Sequence, residues 1–108
     1  MSSPITFMLP IERLQKSNTK ENLWLYILSL LKEGKLYAWK IPAIIGKRFN
    51  FKPGRISPYR VLYRLEKEGF VKSEMEERRR IYQITEKGKK ELEKAKKFYK
   101  TILKWLES

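Results

Sequence analysis

The sequence predicts a mainly α fold with a small β-hairpin wing and a long C-terminal helix. Three observations carry that prediction. A helix signal opens at Ser57–Pro58 and stops at Gly69, with Val61, Leu62 and Leu65 on one face at 100° per residue. Two strand-like runs follow, over 70–74 and 79–84, around a tip at 75–78 that brings in arginine. From Thr85 onward, Leu92, Ala95, Tyr99, Ile102 and Leu106 repeat at 3-4-3-4 spacing, as one face of a long helix does. Helices, a hairpin and a final helix in that order spell a winged helix-turn-helix domain. We divide the chain into an N-terminal extension (1–17), the winged helix-turn-helix (18–85) and a C-terminal dimerisation helix (86–108).

Each element has its own signal. In the extension, Pro4 and Pro10 stand among Ile5, Phe7, Met8, Leu9, Ile11 and Leu14, and 11–16 suits a short helix that packs on something. Asn18 and Glu21 have the spacing of a capping box, opening a helix that runs to about Lys32 and stops at Gly34. Its residues are apolar almost all round, from Leu23 and Trp24 to Leu30 and Leu31. Such a helix must be covered on more than one side, in part by a second subunit. A second helix spans about 38–48, with Ile41, Ile44 and Ile45 inward and Pro42 in its first turn, where a missing N–H costs little. Residues 49–54 are turn material. Ser57 caps the third helix, Pro58 takes its first position, and Gly69 with Phe70 closes it in Schellman fashion. In the hairpin, Tyr82 and Ile84 alternate inward. Thr85 caps the last helix, and Gly88 in its first turn implies a close backbone approach, since glycine is otherwise unfavourable there.

Composition narrows the chemistry. The chain has 108 residues, with 25 basic against 12 acidic side chains, a net charge of +13. That balance favours polyanions, nucleic acid before membrane. Residues 31–80 hold fourteen of the basic residues against six acidic ones, and between Lys35 and Arg64 there are eight basic residues and no acid. There is no Cys, His or Asp, which excludes disulfides, thiolate nucleophiles, Cys/His zinc sites and His-based triads. The five glycines are scattered and form no phosphate loop. We expect neither an enzyme nor a metal or cofactor. The N-terminal MSSPITFMLP has no basic n-region, and the longest apolar run, 23–31, is too short to span a bilayer. A cytoplasmic protein is expected, and a Lys/Glu-rich composition without Cys or His suits a thermophile.

The basic residues fall on the elements that would meet DNA. Ser57, Tyr59, Arg60, Tyr63, Arg64 and Lys67 form the outward side of the third helix, expected to read bases. Arg78, Arg79 and Arg80 on the wing are expected on the phosphate backbone, unless Glu74, Glu76 and Glu77 across the hairpin pair with them. Lys40, Lys52 and Arg55 add backbone contacts. On the last helix Leu92, Ala95, Phe98, Tyr99, Ile102, Leu103, Trp105 and Leu106 form the expected dimer interface, with the 5–14 segment over it. Tyr99 and Trp105 could line a site for a flat aromatic effector.

Three stretches, LLKEGKLYAWKI (30–41), SPYRVLYRLEKEGFV (57–71) and RRRIYQITEKG (78–88), resemble the signature of the PadR-like family of transcriptional repressors. The family patterns are Gly-x-x-Tyr-Gly-Tyr-x-Ile, Leu-Tyr-x-x-Leu-x-x-Leu-Glu-x-x-Gly-Leu-Val and Arg-x-Tyr-Tyr-x-Leu-Thr-x-x-Gly. Tyr37, Tyr59, Leu62, Leu65, Gly69, Tyr82, Thr85 and Gly88 carry the match. The resemblance implies a homodimer on double-stranded operator DNA, joined by a single C-terminal helix, and for some members a small aromatic effector. Ala38 in place of Gly, Pro42 and Arg60 depart from the pattern. Two other readings share the charge: a non-specific chromatin-type protein, and a winged-helix module that binds an acidic protein partner.

Overall fold

A computed structural model of the chain describes residues 8–53 and 57–108. Among these lie α1 (Pro10–Ser17), α2 (Leu23–Lys32), β1 (Leu36–Tyr37), α3 (Ile41–Phe49), α4 (Pro58–Lys67), β2 (Val71–Glu76), β3 (Arg79–Ile84) and α5 (Glu86–Glu107). Single 3-10 turns at Lys20–Asn22 and Ala38–Lys40 lead into α2 and α3. The fold is mostly helical with a small antiparallel sheet, as expected.

The core is built around α2. Leu23, Ile27, Leu28, Leu30 and Leu31 are buried, and they meet Ile41 and Ile45 of α3, Leu62 and Leu65 of α4, Val71 and Tyr82 of the sheet, and Leu92 of α5. Each fully buried aliphatic side chain is worth about 1.5–3 kcal/mol over its exposed state. The apolar α2 is therefore covered largely by its own chain, with Trp24, Leu25 and Tyr26 left partly exposed. The start of α2 differs from expectation. Asn18 does not cap α2; it ends α1, donating from Nδ2 to the Leu14 carbonyl at 2.8 Å. Its carbonyl and Oδ1 then accept from the hydroxyls of Tyr26 and Tyr99, each at 2.7 Å, which ties the end of α1 to α2 and α5. Glu33, just past α2, grips Arg48 of α3 through both carboxylate oxygens, at 2.5 and 2.6 Å. That grip holds the Glu33 carboxyl below its usual pKa.

Pro42 sits in the first turn of α3, as its missing N–H requires. Asn50 ends α3 in the left-handed region, φ 59°. Phe49 and Phe51 then meet the Tyr26 ring edge-on, each with centroids 4.9 Å apart, fixing the turn that leads toward α4.

The end of α4 is a Schellman motif: the Phe70 N–H donates to the Leu65 carbonyl at 2.8 Å and the Gly69 N–H to that of Glu66 at 3.0 Å, with Gly69 at φ 86°. The sheet has order β1-β3-β2. Strand β1 pairs Leu36 with Tyr82 and Tyr37 with Ile81; no local pattern of residues marks a strand this short. Strands β2 and β3 run from Val71↔Ile84 to Glu76↔Arg79. The hairpin is tighter than expected, with Met75 and Glu76 in the strand and only Glu77 and Arg78 at the tip. Both tip residues have positive φ, 50° and 65°, as a type I′ turn demands.

Thr85 joins wing to helix. Its hydroxyl accepts from the Gly88 N–H at 3.1 Å, the N-cap bond, and donates to the Gly69 carbonyl at 2.7 Å. Its own N–H donates to the Phe70 carbonyl at 3.1 Å. Gly88 is buried in this junction: an added Cβ would overlap the Phe70 carbonyl oxygen and come within 2.8 Å of Ile84 Cγ1. Gly88→Ala should therefore destabilise the fold by about 2–4 kcal/mol, although alanine is the better helix former. Urea unfolding checks this; an alanine variant as stable as the parent would contradict the close approach.

Candidate nucleic-acid interface

Helix α4 is held from one side and bare on the other. The Ser57 hydroxyl accepts from the Tyr59 N–H at 3.2 Å, and Pro58, Leu62 and Leu65 are buried. Tyr59 and Tyr63 stand 51% and 65% exposed, with Arg60, Arg64 and Lys67 also exposed beside them. The one acid of this helix is diverted from that side. Glu66 turns to the wing and accepts from the Ser73 N–H at 3.1 Å and the Ser73 hydroxyl at 2.7 Å. Arg80 in turn donates to Ser73 Oγ at 2.9 Å. A chain of polar contacts thus links α4 to the wing at a fixed distance, through two residues, Glu66 and Ser73, that sequence reasoning did not single out.

Arg60, Tyr63, Arg64 and Lys67 are all exposed and fall within about 100° of arc on α4, with Arg60 and Arg64 at one edge of it. The two arginines lie toward the flank, where with Trp24, Val61 and Phe70 they line a groove of about 660 Å³ between the start of α2, α4 and the start of α5. Glu21, Glu68 and Glu91 border the same groove, yet among the described residues neither arginine is in an ion pair. Both guanidinium groups keep their donors for a ligand.

Among the described residues, none of the wing arginines forms a salt bridge with Glu74, Glu76 or Glu77. Glu74 pairs with Lys35 at 3.8 Å, and Glu76, directly opposite Arg79, accepts from the Tyr37 hydroxyl at 3.4 Å. Desolvation, then the carboxylates of Glu76 and Glu77, raise the Tyr37 pKa, so the phenol stays a donor. Arg79 lies over the Trp39 ring at 5.2 Å from its centroid, and Lys40 is 5.4 Å from the same centroid. Trp39 is 51% exposed; its only sequence signal was an aromatic beside a lysine in the run without acids. Lys52 is exposed, and Arg55 lies outside the described residues.

On α5, Leu92 belongs to the chain's own core, at 8% exposure, and so is not free for an interface. The rest of the stripe splits. Ala95, Phe98, Tyr99 and Ile102 line a groove of about 490 Å³ with Asn18, Asn22, Trp24 and Leu25. Leu103, Trp105 and Leu106 project beyond it, 56%, 67% and 78% exposed. Tyr99 and Trp105 are not brought together within one chain, because a step of six helical positions sets them about 9 Å apart in rise and about a third of a turn apart around the axis. Leu9, Ile11 and Leu14 of the N-terminal segment are also exposed, and its residues 1–7 lie outside the described residues. No helix of the described residues is long and apolar enough to cross a membrane.

Arg78 holds a backbone conformation that glycine adopts more easily. Arg78→Gly should stabilise the fold by about 0.5–1 kcal/mol, the relieved left-handed strain outweighing the added freedom of the unfolded chain. A melting temperature at or below that of the parent would count against the turn geometry.

The sequence matches the family model of the transcriptional regulator PadR-like family over residues 27–94. Among solved structures, it is similar to a transcriptional regulator from Clostridium thermocellum, Cth-833, with 31% identity over 77% of this chain and 87% of that one, at a TM-score of 0.70. A PadR family regulator from Eggerthella lenta is 19% identical over 89% of this chain and 84% of that one, at 0.73. F93 from STIV, a winged-helix DNA-binding protein, is 22% identical over 78% and 92%, at 0.66, and shares the fold. No curated protein matches the sequence. Family members are transcription regulators, not enzymes. With its exposed basic helix, its wing and these matches, the chain belongs to the PadR-like family of winged-helix, DNA-binding transcriptional regulators.

Proposed function

We propose that the chain is a repressor that binds a palindromic operator as a homodimer, with α4 in the major groove and the wing on the backbone. The observation that carries this reading is the exposed α4 surface, where Tyr59, Arg60, Tyr63, Arg64 and Lys67 face outward while Glu66 is bound by Ser73. Arginine presents a planar fork suited to guanine O6 and N7, and Ser57 and the tyrosines can donate to base edges or phosphates. Arg78, Arg79 and Arg80, with Lys40, Lys52 and Arg55, supply sequence-independent contacts. Repression needs only that the bound protein occlude the promoter. Such a protein works where the DNA is, in the cytoplasm of a cell without a nucleus.

Selection of a binding site with the purified chain, at stated salt, tests the reading. At the selected site Arg60→Ala and Arg64→Ala should each lose about 1–3 kcal/mol, with relaxed base preference. Arg79→Ala or Arg80→Ala should weaken all DNAs alike and lower the salt slope by about one. No enriched sequence would favour the non-specific reading; helix variants that bind like the parent would displace α4 from the groove.

The dimer rests on surface that one chain leaves bare. Phe98, Leu103, Trp105 and Leu106 are all more than half exposed on one helix, and Leu9, Ile11 and Leu14 are exposed on α1. Burying α5 against its copy removes that surface from water and sets two α4 helices for half-sites about 34 Å apart. A flat aromatic effector would find Tyr99 and Phe98 in the groove beside Trp24, with Trp105 supplied across the dimer axis. Ile102→Glu places a charge on this face outside the core. It should give a folded monomer with operator affinity lost, checked by sedimentation equilibrium and circular dichroism. A parent chain that sediments as a monomer at micromolar concentration would remove the paired half-site geometry.

A further inference from the structure

Trp39 is large, half exposed and outside the core, yet it is not idle. It sits on the Ala38–Lys40 turn that leads into α3, beside the end of the wing. Arg79, the first residue of β3, lies 5.2 Å from its ring centroid and Lys40 lies 5.4 Å from it. Lys40 is also 5.8 Å from the Tyr37 ring. The acid that could compete for Arg79 is Glu76, its partner in the hairpin register, and that carboxylate accepts from the Tyr37 hydroxyl. Among the described residues neither Arg79 nor Lys40 is in an ion pair. Two like charges are thus gathered at one aromatic ring without a salt bridge to either, an arrangement that an anionic phosphate would stabilise.

We propose that Trp39 is a positioning residue for DNA: its ring holds the Arg79 guanidinium and the Lys40 ammonium together, so that wing and α3 grip the phosphate backbone as one clamp. A long arginine at a hairpin tip otherwise samples many rotamers, and ordering it only on binding weakens the contact. Stacking on the indole orders it beforehand. It also fixes the wing relative to the helix-turn-helix on the side opposite the Glu66–Ser73–Arg80 contacts. The inference rests on the reading of the wing as a backbone contact, and the experiment separates the two.

Titrations of the full chain with the selected duplex and with a random duplex, across a range of salt, compare Trp39→Leu, Trp39→Tyr, Arg79→Ala and the double variant Trp39→Leu/Arg79→Ala. Leucine keeps apolar bulk without a π face; tyrosine keeps the face. Trp39→Leu should weaken both duplexes about fivefold, with a shallower salt slope, while Trp39→Tyr stays within about twofold of the parent. In the Arg79→Ala background the leucine change should cost little more, the mark of action through Arg79. A full fivefold loss in that background, or no loss in Trp39→Leu when Arg79→Ala does weaken binding, overturns the clamp and leaves the wing reading standing. An Arg79→Ala chain that binds like the parent overturns both. Side-chain NMR of the parent gives a check that needs no variant. The Arg79 signals should be displaced by the indole ring current and move on adding DNA; random-coil values in the free protein would overturn the proposal.

Discussion

Gly88 passes so close to the Phe70 carbonyl that no side chain fits between them. Much of the molecule's geometry follows from that contact. Phe70 ends the Schellman motif that closes α4, and Gly88 opens α5, so their approach fixes the exit of one helix against the entry of the next. Thr85 binds both sides of the junction at once, through Gly69 and Gly88. Because β2 and β3 spring from the same point, the wing's position relative to α4 is set there too. A larger residue at 88 would disturb the hairpin and two helices together, since interiors at crystal-like density transmit strain.

The charge pattern is shaped by which acids are occupied. The twelve glutamates could have neutralised much of the basic surface, but three of those around the wing and α4 are engaged elsewhere. Glu66 is bound by Ser73, Glu74 by Lys35 and Glu76 by Tyr37. Exposed ion pairs such as Lys35–Glu74 add little stability. Their larger effect is to leave the guanidinium groups of Arg60, Arg64 and Arg79 without a carboxylate partner. Two of the three arginines on the wing are ordered by neutral groups instead, Arg80 by a serine hydroxyl and Arg79 by an indole ring. A neutral partner orients a cation without cancelling it, which suits a surface that meets polyanions.

The apolar surface divides in a similar way. Helix α2 gives most of its length to the core, leaving Trp24 and Leu25 at the groove beside α5, whereas α5 is inside the core only at its start, through Leu92. Beyond Ile102 it projects with Leu103, Trp105 and Leu106 in solvent. Asn18 bridges the two regimes, its side-chain Oδ1 anchoring α5 through Tyr99 while its backbone carbonyl holds Tyr26 of α2. Through Tyr26 and the rings of Phe49 and Phe51, the bare helix is connected by packed groups to the turn before α4.

The sequence by itself determined the elements and the fold class. Ser57–Pro58, Gly69 and Thr85 are local instructions: a cap, a first-turn proline and a glycine at positive φ act within four residues, so they can be read without neighbours. Gly88 was legible as an anomaly, a glycine where a helix prefers alanine, and its cause was the expected close approach. Periodicity likewise revealed the inner faces of α3 and α4 and the long stripe of α5. Other features were settled only by tertiary structure, because they depend on residues far apart in the chain. The two-residue strand β1 exists only because the edge of β3 accepts it. Asn18 had the spacing of a cap for α2, but α1 and the hydroxyls of Tyr26 and Tyr99 competed for it and won. Whether the wing arginines would meet glutamate depended on Tyr37 and Trp39, some forty residues upstream. Side-chain identity and spacing therefore sufficed for the helices and their ends. Which charges remain free is a property of who stands next to whom once the chain has folded.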